Sequence, residues 1–164
     1  MLNVRELNAL NREEFTRLIG PVFEHSPWIA EKTWSDQPFA NRDNLHQVLC
    51  QTVIEGDDQS KLELIRAHPD LAGRVELTDA SSREQASANL TQLSQEEMDS
   101  IQKYNRLYRE KFGFPFVICA RLNKKEAILA AFPVRLQNSP EQEKKTALDE
   151  IFKIADLRLR EIIQ

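Results

Sequence analysis

The chain has 164 residues, 41% of them hydrophobic, which is enough for one domain with a full core and too few to expect two. A net charge of -4, with basic residues scattered among acids, argues against nucleic acid or an anionic membrane as partner and leaves small anions to single local arginines. Cys50 and Cys119 stand far apart without CxxC spacing, so the pattern implies reduced thiols and excludes a disulfide framework or a structural zinc site. Met1 to Glu6 has no basic stretch leading into an apolar run, no later segment reaches membrane-spanning length, and Glu161 to Gln164 carries no sorting signal. A cytoplasmic location is the expectation.

Only 4 glycines and no alternating polar/apolar segment leave little room for hairpins, so the chain reads as all-α. The expected architecture is a compact single-domain helical bundle of about seven to nine helices. In chain order, Asn11-Arg12-Glu13-Glu14 has the spacing of a cap whose acid reaches back three residues to satisfy a first-turn amide. Helices are then expected over Pro27 to Trp34 and Arg42 to Glu55, the second with an inward stripe of Leu45, Val48, Leu49 and Val53. A helix from Asp58 to Ala67 should stop at His68, because the residue before Pro69 is pushed out of the α region. Ser82 to Leu93 reads as a helix, and Ser94-Gln95-Glu96-Glu97 caps the next, striped by Ile101, Tyr104, Leu107 and Tyr108. Lys111 to Ala120, apolar with Gly113 and Pro115 inside it, reads as a buried loop rather than a strand. Lys124 to Leu136 and a last helix opened by Ser139-Pro140-Glu141-Gln142 complete the set.

The residues with chemical promise cluster around His68-Pro69-Asp70-Leu71-Ala72-Gly73. An imidazole at a helix mouth often only touches the last carbonyls, but it also titrates near neutrality and can give or take a proton. Glu84 is a candidate neighbour, although Ser81 to Glu84 and Ser82 to Gln85 both have capping-box spacing, and capping is the stronger reading from spacing alone. In the last helix Ile151, Ala155, Arg158 and Ile162 form one stripe, so Arg158 points inward and wants a carboxylate such as Asp70, or a ligand. Arg160 falls with Lys153 and Asp156 on a solvated face. The buried loop is core filling on the plain reading, while the sharper one has its backbone amides line a pocket. His25 and His46 lack metal-ligand spacing, and neither Ser26, Ser81, Ser82 and Cys119 nor Gly73 and Gly113 sit in a nucleophile-elbow or phosphate-loop context.

Taken together, His68 to Gly73, Leu77-Thr78 with Ser82 to Gln85, Asn105 with Tyr108, Lys111 to Phe116 and Leu157 to Arg160 resemble one family over nearly the whole chain. It is the 2-oxo-4-hydroxy-4-carboxy-5-ureidoimidazoline (OHCU) decarboxylases of urate degradation. One departure is Asn89, where that family leads one to expect glycine. The resemblance implies an all-α enzyme, often a homodimer, working without cofactor or metal to make (S)-allantoin. The carboxylate leaves a carbon beside a ring C=N bond, so the substrate carries its own electron sink and the protein has to align it and deliver a proton. His68 is then the implied general acid/base and Glu84 its catalytic neighbour at the substrate hydroxyl. Pro69 is the implied wall beside His68, with Ser81 and Gln85 as hydrogen-bond partners of the ureido and ring groups. Backbone at Phe116, Ile118, Cys119 and Ala120 is the implied clamp of the ring, and Arg158 the anion or carbonyl anchor. The implied partner is a small ureidoimidazoline, with association with the upstream hydrolase a further expectation; nucleic acid and membrane are not expected. A non-catalytic binding module for a purine breakdown product and a ureide hydrolase are the rival readings.

Overall fold

The computed structural model describes residues 1–73 and 77–164. Among these residues there are nine α-helices and no strand, as the scarcity of glycine and of alternation implies. They are α1 (Val4–Asn8), α2 (Arg12–Ile19), α3 (Trp28–Thr33), α4 (Arg42–Ile54), α5 (Asp58–Arg66), α6 (Asp79–Ser87), α7 (Gln95–Phe112), α8 (Lys125–Arg135) and α9 (Pro140–Arg160). The three starts expected from capping spacing all form. Asn11 with Glu14 and Ser94 with Glu97 make reciprocal boxes, and Ser139 with Gln142 exchanges the same pair of bonds at 2.9 and 3.2 Å. The sequence reading passed over α1, although Asn3 and Glu6 carry that same signature.

Three expectations are corrected. The helix expected over Ser82 to Leu93 is α6, which starts three residues earlier because Thr78 Oγ1 takes the Ser81 N–H at 3.2 Å, and which ends at Ser87. It stops there because Asn89 adopts a left-handed φ of 64°, a conformation open to glycine and, among side-chain-bearing residues, best to asparagine. The departure at Asn89 therefore occupies a position where glycine's backbone freedom is in use. In α7 the inward residue is Asn105, not Leu107, which is 36% exposed. From Ile101, steps of four and three reach Asn105 and Tyr108, whereas Leu107 lies well round the helix from them. The helix expected over Pro27 to Trp34 ends at Thr33, and Trp34–Asp36 continues it as a 3-10 turn.

Two compact units divide the chain. The first, Met1–Ala67 with Phe152–Gln164, holds α1 to α5 and the end of α9. α3 packs on α2 and on α4, whose Leu45, Leu49 and Val53 are buried as expected while Val48 is half-buried. Each fully buried side chain of this size contributes about 1.5–3 kcal/mol. Leu2 and Ile163 close this unit as an isolated parallel bridge, with Leu2 N–H on the Ile162 carbonyl at 3.0 Å. The second unit, His68–Ile151, holds α6, α7, α8 and most of α9. Its core is aromatic: Phe116 stacks on Phe132 at 3.9 Å and meets Tyr108 edge-on at 5.3 Å.

Candidate active site

His68 opens the second unit just past the end of α5, where Pro69 turns the chain, and it is 7% exposed. The turn behind it is pinned from two helices. Asn105 Nδ2 of α7 donates to the Leu71 carbonyl at 3.0 Å, and Gln85 Oε1 of α6 accepts the Ala72 N–H at 3.0 Å. That second bond matters because Ala72 sits at a φ of 53°, a left-handed conformation that a β-carbon disfavours and that needs outside support. Asp70 faces outward and pairs with Arg109 at 2.8 Å. The Asp70 pairing proposed for Arg158 is thereby corrected.

Ser81, Glu84 and Gln85 are 7%, 8% and 6% exposed, so α6 turns a polar face inward. This overturns the capping reading of Glu84: the cap is Thr78, and Glu84 lies in the second turn of the helix. Three buried polar side chains at positions i, i+3 and i+4 are costly in an apolar interior, which marks the face as built for polar partners. Gln85 spends only its oxygen on Ala72; among the described residues its Nε2 makes no hydrogen bond.

The third element is the expected loop. Gly113 ends α7 with a φ of 77°, and every residue from Phe114 to Ala120 is buried, with no regular structure before the short 3-10 turn Ala120–Leu122. Within the described residues the N–H groups of Phe116, Val117, Ile118 and Ala120 make no hydrogen bond, an unusual concentration of idle buried donors. Cys119 differs: its N–H is held by Glu150 Oε1 at 3.1 Å and its carbonyl by Asn123 Nδ2 at 2.9 Å. Burial pushes the Cys119 thiol up, and the carboxylates of Glu150 and Glu84 push it further, so it stays protonated at neutral pH and is no nucleophile. α6 packs against the 3-10 turn that ends the loop, and Lys125 N–H reaches the Ala88 carbonyl at 3.0 Å. The His68 turn, the polar face of α6 and the loop are thus tied element to element inside one unit.

Arg158 belongs to the first unit and is buried, as its stripe predicts. Its Nη2 binds Glu24 Oε2 at 2.9 Å and its Nη1 the Pro21 carbonyl at 3.1 Å. Glu24 lies in an irregular stretch after a 3-10 turn, where no periodicity marks it as inward. Glu143 and Glu150 were also missed, although a signal existed. Reading the Arg158 stripe back along α9 in steps of three and four gives Ala155, Ile151, Ala147 and Glu143, with Glu150 beside Ile151. His25 is exposed, and His46 Nε2 meets the Phe152 carbonyl at 2.7 Å. Among the described residues no three His, Cys, Asp or Glu side chains gather as a metal site, and no helix is long and apolar enough to cross a membrane.

Residues 8–160 match the family model described as OHCU decarboxylase. A Halalkalicoccus jeotgali protein named 2-oxo-4-hydroxy-4-carboxy-5-ureidoimidazoline decarboxylase is 44% identical, over 98% of this chain and 92% of that one. A Haloferax volcanii protein of the same name is 43% identical over 98% and 95%. Among solved structures, one titled as the crystal structure of (S)-allantoin synthase superposes with a TM-score of 0.82 at 30% identity. The match covers 99% of the present chain and 54% of that longer one.

Proposed function

The chain belongs to the OHCU decarboxylase family, and on that premise we propose that it converts 2-oxo-4-hydroxy-4-carboxy-5-ureidoimidazoline to (S)-allantoin and carbon dioxide. The family match runs through both units, which supports treating residues 1–164 as one functional domain. The bond from the hydroxyl-bearing ring carbon to the carboxylate breaks, and its electron pair flows into the neighbouring C=N, whose nitrogen takes a proton. The resulting enol becomes a carbonyl by losing its hydroxyl proton while the adjacent ureido-bearing carbon is protonated on one face. No external electron sink is required for that sequence. His68 is the proposed general acid/base and Glu84 the group that engages the substrate hydroxyl and orients the imidazole.

The observation that carries this reading is the pairing, within one unit, of a buried polar face on α6 with four idle amides in a buried loop. A planar ring bearing ureido and carbonyl groups is a ligand such a site can satisfy: the amides of Phe116, Ile118 and Ala120 donate to it, Ser81 hydrogen-bonds it, and Pro69 walls it. Gln85 contributes its free amide hydrogens. For Arg158 the proposed role is the anion or carbonyl anchor, supported by a guanidinium held in a fixed direction by Glu24. The same reading carries a cytoplasmic homodimer, needing no cofactor and able to associate with the upstream hydrolase.

The test generates the labile substrate in situ from urate with the two upstream enzymes and follows allantoin by circular dichroism. Rapid appearance of one enantiomer supports the proposal; racemic product at the spontaneous rate refutes it in favour of a binding module. Release of carbon dioxide distinguishes the reaction from ureide hydrolysis. His68→Ala should lower turnover by about 10²–10⁴-fold with helical content unchanged, and near wild-type turnover in that variant would refute the acid/base assignment.

A further inference from the structure

The loop that offers its amides is gripped from behind at two points. Arg135 Nη1 donates to the Val117 carbonyl at 2.7 Å, and Glu150 Oε1 accepts the Cys119 N–H at 3.1 Å. These are the two peptide units flanking Ile118. The only cis bond among the described residues is Gln37-Pro38, so both units are trans and each holds its C=O and N–H on opposite sides of its plane. Anchoring the Val117 carbonyl on Arg135 turns the Ile118 N–H away from Arg135. Anchoring the Cys119 N–H on Glu150 turns the Ile118 carbonyl away from Glu150. Neither Ile118 group makes a hydrogen bond among the described residues.

The first anchor is itself immobilised. The Arg135 guanidinium lies 4.1 Å from the Phe116 ring centroid, and its Nε donates to Glu143 Oε1. Glu143 is fully buried and also takes the Tyr108 hydroxyl at 2.7 Å and Asn138 Nδ2 at 3.0 Å. Arg135 and Glu150 are 7% exposed each, so little competing water reaches either bond. A loop without a sheet partner has no ladder to orient its peptide planes, and these two side chains do the orienting instead.

We infer that Arg135 and Glu150 are positioning residues of the active site, which fix the peptide planes on either side of Ile118 so that its backbone donor and acceptor are presented ready-made to the substrate ring. The inference rests on the proposed decarboxylase reading and extends it from the groups that touch the ring to the groups that aim them. Because the clamp holds the ring in ground and transition states alike, its loss raises KM more than it lowers kcat.

The test compares wild type, Glu150→Gln and Glu150→Met in the dichroism assay, with thermal melting of each. Methionine keeps the shape and removes the acceptor, and the expected result is a rise in KM of about 10-fold or more with kcat nearly retained, the signature of lost uniform binding. Glutamine keeps an oxygen for the Cys119 N–H and should recover most of that loss. Arg135→Lys, which keeps the charge beside Glu143 but is too short for the Val117 carbonyl, should show the same KM rise and provides the test if Glu150→Met does not fold. A wild-type KM in whichever of these variants folds overturns the inference, as does a KM rise that Glu150→Gln does not recover. Wild-type protein that yields only racemic allantoin sinks the underlying reading and this inference together; active wild type with unaffected variants sinks the inference alone.

Discussion

Among the described residues each unit buries one arginine against one glutamate, and the two pairs are built differently. In the first, Arg158 joins Glu24 and the Pro21 carbonyl, and Glu24 also has His25 Nε2 at 3.8 Å. In the second, Arg135 joins Glu143, which also receives the hydroxyl of Tyr108 and the amide of Asn138, while the other arm of Arg135 holds the loop at Val117. A buried ion pair adds little net stability over apolar residues of the same shape, yet breaking it is expensive. Its usefulness lies in the direction it imposes on whatever the arginine's remaining hydrogens touch: the backbone at Pro21 in one case, the buried loop at Val117 in the other.

The comparison is most exposed at Arg135. Arg135→Met leaves Glu143 charged and fully buried, and should lower stability in urea unfolding by about 3–5 kcal/mol. Adding Glu143→Leu should restore more than half of it; a single variant that loses under about 1 kcal/mol would mean that the pair is not what holds this region. Arg158→Met with Glu24→Leu, paired in the same way, should recover stability while KM stays raised by about tenfold, or about 1.4 kcal/mol. A wild-type KM in that double variant would make Arg158 purely structural. The smallest effect comes from a half-buried pair near the surface, Lys125 with Glu97 at 3.1 Å. The Ser94 N–H first, and Lys125 next, hold the Glu97 carboxyl below its usual range. A carboxyl depressed by folding stabilises fully above its unfolded value and loses that contribution as pH falls through the lowered folded one. Glu97→Gln should therefore cost a little stability at neutral pH and almost none at pH below the lowered folded value, flattening the acid limb of the stability curve, whereas an equal loss at both would remove Glu97 as a source of acid sensitivity.

How much of this was legible depended on how local each signal was. The caps at Asn11, Ser94 and Ser139 are three-residue devices, so the sequence sufficed. α6 failed the same method because Thr78, Ser81 and Ser82 all compete to cap it, and the winner is decided by burying Glu84 and Gln85, a tertiary event. Arg158 was legible because aliphatic neighbours at helical spacing frame it. Arg135 was not: it follows Val134, and any hydropathy rule puts the valine inside, whereas Val134 is 67% exposed and the arginine takes the interior place against Phe116. The loop was recognised as buried and irregular, but the side chains that orient it come from α8 and α9, well beyond the reach of any local pattern.

One glutamine gives the site a property that no single contact would. Gln85 steadies the left-handed Ala72 with its oxygen, and in the proposed reading it offers its amide hydrogens to the substrate, so that one rotamer would serve both the turn beside His68 and recognition. Two tasks that share a torsion angle are thermodynamically coupled, and changes at Gln85 and Ala72 do not add. Glycine at position 72, which needs no steadying at that φ, would separate them. In a protein carrying Ala72→Gly, altering Gln85 would leave only the cost of the lost ligand contact, and the difference between the two backgrounds would measure how much of the glutamine's worth is architectural.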